Sequence, residues 1–173
     1  KNGNDFYHQI MSKIEKLEGD SLPVSVFNSD GSAPLDTSKF EKRGIALNLP
    51  EFIKENCIQC GQCTLACPHS ALSSLLIDEK EMREEEKKDF SKAIGFEDKL
   101  FRILLSPEDC TGCGVCVQTC PAIKKALKLV GAENLLDEYK NKYKKYSCLP
   151  QSKQTKFSTD MAKGLQFSPS YFK

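Results

Sequence analysis

Two runs of cysteine carry the chemistry in this chain: Cys57-Ile-Gln-Cys60-Gly-Gln-Cys63-Thr-Leu-Ala-Cys67-Pro68 and Cys110-Thr-Gly-Cys113-Gly-Val-Cys116-Val-Gln-Thr-Cys120-Pro121. Both have the spacing C-x2-C-x2-C-x3-C-P. Three thiolates on one short loop can face a common centre and reach three irons of a cubane. The fourth, at the start of the helix after the loop, points away and serves the cluster held by the other loop. The spacing therefore predicts two [4Fe-4S] clusters, the first on Cys57, Cys60, Cys63 and Cys120, the second on Cys110, Cys113, Cys116 and Cys67. Such clusters pass electrons. Zinc is the alternative, since it also favours C-x2-C pairs, but it takes its four ligands as two separated pairs rather than doubled triplets.

Other residues are read around this centre. Gly61, Gly112 and Gly114 would let backbone N–H groups approach the sulfurs, and Pro68 and Pro121 would turn the chain. Ile58, Leu65, Val115 and Val117 are expected to wall off water. Cys148, outside the repeat, reads as a small apolar filler, His69 as a surface residue and His8 as structural. No Ser/His/Asp set, phosphate-binding glycine loop or carboxylate pair accompanies the cysteines, so no catalytic residue is assigned.

Holding two such loops in place needs a scaffold, and length and composition bound what it can be. A chain of 173 residues suits one domain with arms or two small modules. Nine cysteines, eight of them in two tight repeats, do not suit a secreted disulfide framework and point to a reducing compartment. The formal charge of +1 becomes about −3 once thiolates and oxidised cluster cores are counted, and neither value favours nucleic acid. No apolar run approaches the roughly 18 residues a bilayer span needs, and no signal peptide is visible. Because the chain starts at Lys1 and stops at Lys173 without a closing element, it reads as a piece of a longer polypeptide.

Residues 1–50 read as a helix, with Phe6, Ile10, Ile14 and Leu17 at helical spacing, and then an extended arm rich in Pro, Gly, Ser and Asp. Residues 51–131 form the cysteine domain, with an inserted segment at 70–109. Within the insertion, Asp78 to Lys92 is almost all charged and reads as a solvated helix, whereas Leu100 to Leu105 reads as a strand. Residues 132–173 read as a lysine-rich helix, over Glu133 to Lys145, and a linker. The expected fold class is α+β: a ferredoxin-like dicluster core with pseudo-twofold symmetry, built from two short hairpins and two helices, with extended N- and C-terminal arms.

Taken together, these residues resemble the dicluster region of the pyruvate:ferredoxin (flavodoxin) oxidoreductases, including the pyruvate:NADP form of some protists. The segment Lys39-Phe40-Glu41-Lys42-Arg43-Gly44-Ile45-Ala46 is similar to the family's E-K-R segment, read here as a docking element. Cys57 to His69, with its C-P-H ending, is similar to the first cluster loop. Phe101-Arg102-Ile103 through Ser106-Pro107-Glu108-Asp109 to Pro121-Ala122 is similar to the second, and Lys163-Gly164-Leu165-Gln166-Phe167 resembles the approach to the thiamine domain. The likeness is close over 22–131, loose over 156–173 and weak over 1–21 and 132–155.

The resemblance implies that electrons from pyruvate oxidation, carried out with coenzyme A at thiamine diphosphate and Mg, pass a third cluster and then the two held here. They would leave to ferredoxin, flavodoxin or a fused flavoprotein domain. Thiamine diphosphate, Mg and the third cluster would belong to the parent protein, a homodimer in the cytoplasm or a protist organelle, whose other domains would be this region's partners. A free-standing ferredoxin, the iron–sulfur region of another 2-oxoacid oxidoreductase and a zinc-stabilised interaction module stand as alternatives.

Overall fold

The structure, a computed structural model, describes residues 3–35, 37–152, 157–158 and 160–167. Positions 153–156, 159 and 168–173, which the sequence assigns to the linker and to the loosely matching C-terminal stretch, lie outside the described residues. The chain forms two compact units, Lys1–Arg43 and Gly44–Lys173.

In the first unit, α1 (Gly3–Phe6) runs through a π turn at Tyr7–Met11 into α2 (Ser12–Glu15). Phe6 and Ile10 are buried as the stripe predicts, but Ile14 and Leu17 are 47% and 93% exposed. The reason is local: the helix ends at Glu15 and Leu17 takes a positive φ of 61°, so the last stripe position leaves the helical face. Beyond it the chain makes single 3-10 turns at Gly19–Ser21, Val24–Val26 and Ser38–Phe40. Tyr7 stacks on Phe40 at 4.1 Å, and the Lys39 ammonium lies 5.1 Å from the centre of the Phe40 ring.

The second unit holds the cysteines. Strand β1 (Asn48–Phe52) pairs antiparallel with β5 (Leu127–Gly131), so that Leu49 faces Val130. This is not a local hairpin. The pair closes a long excursion that contains both cysteine loops and brings the start of the first loop beside the exit of the second. Between them lies a three-stranded antiparallel sheet of β2 (Leu72–Asp78), β3 (Ser91–Lys92) and β4 (Lys99–Leu105), in the order β2-β4-β3.

Because β4 is central and covered on both faces, it reads as a nearly continuous apolar run rather than an alternating one. Phe101, Ile103 and Leu105 pack with Leu49, Leu72, Leu76 and Leu127 on the face that also meets the cysteines. Leu100 and Leu104 pack with Leu75, Ile77, Met82, Phe90 and Tyr146 on the other.

That second face explains why the charged stretch is not a solvated helix. Asp78 to Lys92 makes one 3-10 turn, a single helical turn α4 (Glu84–Lys87) and β3, and it drops Met82 and Phe90 onto the sheet. Its charges pair with each other and beyond, as in Lys92–Glu79 at 2.5 Å and Lys145–Glu86 at 3.1 Å. The lysine-rich helix α6 (Leu136–Tyr146) likewise docks rather than floats, burying Tyr139 and Tyr146. Arg102, in the middle of β4, is buried. Its guanidinium donates to the Asp89 carbonyl and lies 5.7 to 6.0 Å from the Phe52, Phe90 and Tyr146 rings.

Tyr146 closes this second core by donating its hydroxyl to Asp89 Oδ2 at 2.6 Å. Burial and the Asp89 bond hold its phenol neutral, well above the ordinary tyrosine range. Tyr146→Phe is expected to destabilise this unit by about 1.5–3 kcal/mol, the worth of a hydrogen bond to a charged group, and to lower the thermal midpoint without changing iron content. An unchanged midpoint would remove Tyr146 from the account of α6 docking.

Candidate metal centres

The eight repeat cysteines fall into two sets. One cavity, of about 350 Å³ with its open mouth, is lined by Cys57, Cys60, Cys63 and Cys120. The other, of about 360 Å³, is lined by Cys67, Cys110, Cys113 and Cys116. Each loop thus places its first three cysteines on one cavity and its fourth on the other. The local fold explains the crossing. Cys63 sits in α3 (Gln62–Leu65) and Cys116 in α5 (Val115–Thr119), whereas Cys67 and Cys120 come after the ends of these one-turn helices.

Backbone conformation repeats between the loops. Gln59 and Gly112, at the same motif position, have φ of 54° and 72°, and Gly61 and Gly114 both have φ of 76°. This turn aims a backbone N–H at the first sulfur of each motif, Gln59 N–H to Cys57 Sγ and Gly112 N–H to Cys110 Sγ, both at 3.4 Å. Ala71 N–H similarly donates to Cys67 Sγ at 3.3 Å. At position 112 glycine is required by space as well as by φ, since a Cβ there would lie 2.8 Å from the Asn48 carbonyl oxygen.

The thiols carry an electrostatic signature. Burial, and after it the neighbouring sulfurs of Cys57, Cys60, Cys116 and Cys120, pushes the Cys63 thiol up to about 12. Burial and then Cys110 and Cys67 push Cys116 up to about 11. Burial also raises Cys110, against the Gly112 N–H that lowers it. Sulfurs gathered this closely resist becoming anions together, and a cationic iron group is what would offset that cost. Donors that are all sulfur fit an iron–sulfur cluster. Among the described residues, no three Cys, His, Asp or Glu side chains converge as they would on a single ion; the thiols stand around cavities instead. None of the nine cysteines is in a disulfide.

The apolar walls come mostly from residues the motif reading passed over. Phe52, Ile103 and Leu127 line the first cavity, and Pro50, Leu72, Leu105 and Leu129 the second. Of the four expected shields, Ile58 reaches the first cavity but is 52% exposed, Leu65 and Val115 turn outward from their one-turn helices, and Val117 packs against the core. The period-two series Phe101, Ile103, Leu105 was the available signal, because strand residues two apart share a face. His69 is exposed at the mouth of the second cavity, its Nδ1 3.5 Å from Thr111 Oγ1. Cys148 is exposed beside Ser147, so it is not a packed filler. His8 is exposed against the Tyr7 and Phe40 rings.

Two family models described as 4Fe-4S dicluster domains match residues 56–123 and 102–161, and a third, EKR, described as a domain of unknown function, matches residues 1–46. The chain is 43% identical over 166 residues to the pyruvate:ferredoxin oxidoreductase of Moorella thermoacetica, covering 94% of this chain and 14% of that protein. It is 41% identical to the pyruvate-flavodoxin oxidoreductase of Enterobacter agglomerans over 94% of this chain and 14% of that protein. To the pyruvate dehydrogenase [NADP(+)] of Cryptosporidium parvum it is 38% identical over 95% of this chain and 8% of that protein. The chain therefore spans about one seventh of the first of these relatives. With two dicluster models, the E-K-R segment and this identity over nearly its whole length, the chain belongs to the pyruvate:ferredoxin/flavodoxin oxidoreductase family, whose iron–sulfur region it matches.

Proposed function

We propose that the unit Gly44–Lys173 holds one [4Fe-4S] cluster on Cys57, Cys60, Cys63 and Cys120 and a second on Cys67, Cys110, Cys113 and Cys116, and relays single electrons through them. The carrying observation is the crossed distribution of the eight thiols around two cavities. When bound, each cluster takes up and gives back one electron. The residues of the chain do the rest. The αL turns at 59 and 112 hold N–H groups against sulfur, and Phe52, Ile103, Leu105 and Leu127 keep water away. The matching turns and matching N–H to sulfur bonds support a pseudo-twofold relation between the loops.

In the parent protein the electrons would come from pyruvate, decarboxylated oxidatively to acetyl-CoA at thiamine diphosphate and Mg and passed on through a third cluster. Ferredoxin, flavodoxin or a fused flavoprotein domain would receive them. The names of the relatives support this reading. A homodimeric parent in the cytoplasm or a protist organelle completes the proposal; thiols kept as cluster ligands suit a reducing compartment. Among the described residues no helix is long and apolar enough to cross a membrane.

The test is anaerobic iron and sulfide analysis with electron paramagnetic resonance after dithionite reduction. About eight irons and about eight sulfides per chain, with two one-electron signals, are expected. Zinc without labile sulfide would discard the electron-transfer reading.

A further inference from the structure

The two cysteine loops share a turn but not its support. At the third position of the second motif stands Gly112, for which a φ of 72° carries no steric penalty, whereas the first motif places Gln59 there at 54°, a left-handed conformation that crowds a residue with a side chain. Gln59 is nevertheless 3% exposed and fully engaged. Its Nε2 donates to the Lys92 carbonyl at 2.8 Å and to Ser91 Oγ at 3.3 Å, and its Oε1 accepts from Ile94 N–H at 2.7 Å. Its own carbonyl accepts from Gln166 Nε2 at 3.3 Å, and Gln166 Oε1 accepts from Ser74 Oγ at 2.9 Å.

Gln166 is also 3% exposed and lies directly over Gly61, where any Cβ would meet its Oε1 at 2.6 Å. Phe167 anchors the segment, buried edge-on to Phe96 and Phe101. The second loop is covered differently: the Asn48 backbone lies against Gly112 and Leu129 against Gly114, no glutamine pair stands there among the described residues, and Cys113 and His69 at its cavity are exposed.

We infer that Gln59 and Gln166 form a two-amide clamp that seals the Cys57/Cys60/Cys63/Cys120 cavity against water and thereby sets the reduction potential of the cluster bound there, a device the second cavity lacks among the described residues. The inference rests on the proposed cluster reading. Both glutamine side chains are positioning groups: they act through the loop, and it is the Gln59 backbone N–H, not either amide side chain, that meets the Cys57 sulfur. Opening the clamp admits water, which stabilises the more negatively charged reduced state and raises the potential.

The experiment is a redox titration monitored by paramagnetic resonance on the cluster-loaded protein, comparing wild type with Gln166→Ala and Gln59→Gly. Gln59→Gly keeps the αL turn, as Gly112 does in the other loop, so it tests the clamp without asking the loop to refold. In both variants one midpoint is expected to rise against the other by a factor of about three or more in the one-electron equilibrium between clusters, ~28 mV or more, and about half the visible absorbance should bleach faster in air. Unmoved midpoints, or two midpoints moving together as a general loosening would produce, overturn the clamp. Absence of iron and sulfide in the wild type would instead overturn the cluster reading beneath it.

Discussion

Replacing Cys120 with alanine is expected to empty the centre built by the loop at Cys57, not the one built by its own loop. The variant should lose about half the iron and labile sulfide, and the surviving signal should be that of the cluster on Cys67, Cys110, Cys113 and Cys116. Cys67→Ala is the mirror experiment and should spare the other cluster. The reason is placement: Cys120 lines the cavity of Cys57, Cys60 and Cys63, and Cys67 that of Cys110, Cys113 and Cys116. Combining each with a second substitution gives the decisive contrast. Cys120→Ala with Cys57→Ala should retain one cluster, because both changes fall on one centre. Cys120→Ala with Cys110→Ala should retain none. The opposite pattern would show that each loop closes its own cluster.

Removing the clusters is expected to unfold the second unit. Cys57, Cys63, Cys67 and Cys110 pack against the main core and Cys116 belongs to it, while Cys120 and Cys57 meet in a smaller one. Emptying the two thiol-lined cavities leaves their apolar walls without partners, and metal binding is folding free energy in such sites. Chelation under reducing conditions should abolish the cooperative thermal transition of this unit together with the visible absorbance. A chelated protein that melts as the loaded one does would contradict the account.

The pH dependence has a definite sign. With iron bound, the sulfurs are held as thiolates, while the released chain protonates each below its ordinary value of 9.0. Cluster retention therefore weakens as pH falls. Without iron the sign reverses. Cys63 and Cys116, pushed up to about 12 and about 11, favour the compact chain only while protonated, so any residual structure is lost as pH rises from about 9 towards 11.

The crossed placement of the cysteines on the two cavities follows from spacing: a short loop presents three thiols to one cavity, and the fourth, beyond a single helical turn, lies on the other. Strand β4 was legible in the sequence, since Leu100 to Leu105 is apolar at all but one position. What the sequence hid depends on partners distant along the chain. Nothing near Asn48 announces that it will face Gly131, and a charged run reads as solvated until a sheet face needs Met82 and Phe90 to cover it. The helix stripe misled at Leu17 because a left-handed residue there ends the helical period. The Gln59–Gln166 bond was hidden for the same reason as β1–β5: two ordinary polar residues acquire meaning only when the chain brings them together.

Diffraction at the iron edge from anaerobic crystals of the loaded protein tests the crossed ligation most directly. Two separate anomalous centres are expected, one ringed by Cys57, Cys60, Cys63 and Cys120 and the other by Cys67, Cys110, Cys113 and Cys116. A centre ringed by Cys57, Cys60, Cys63 and Cys67 together, or single-ion zinc peaks in place of iron, would contradict it.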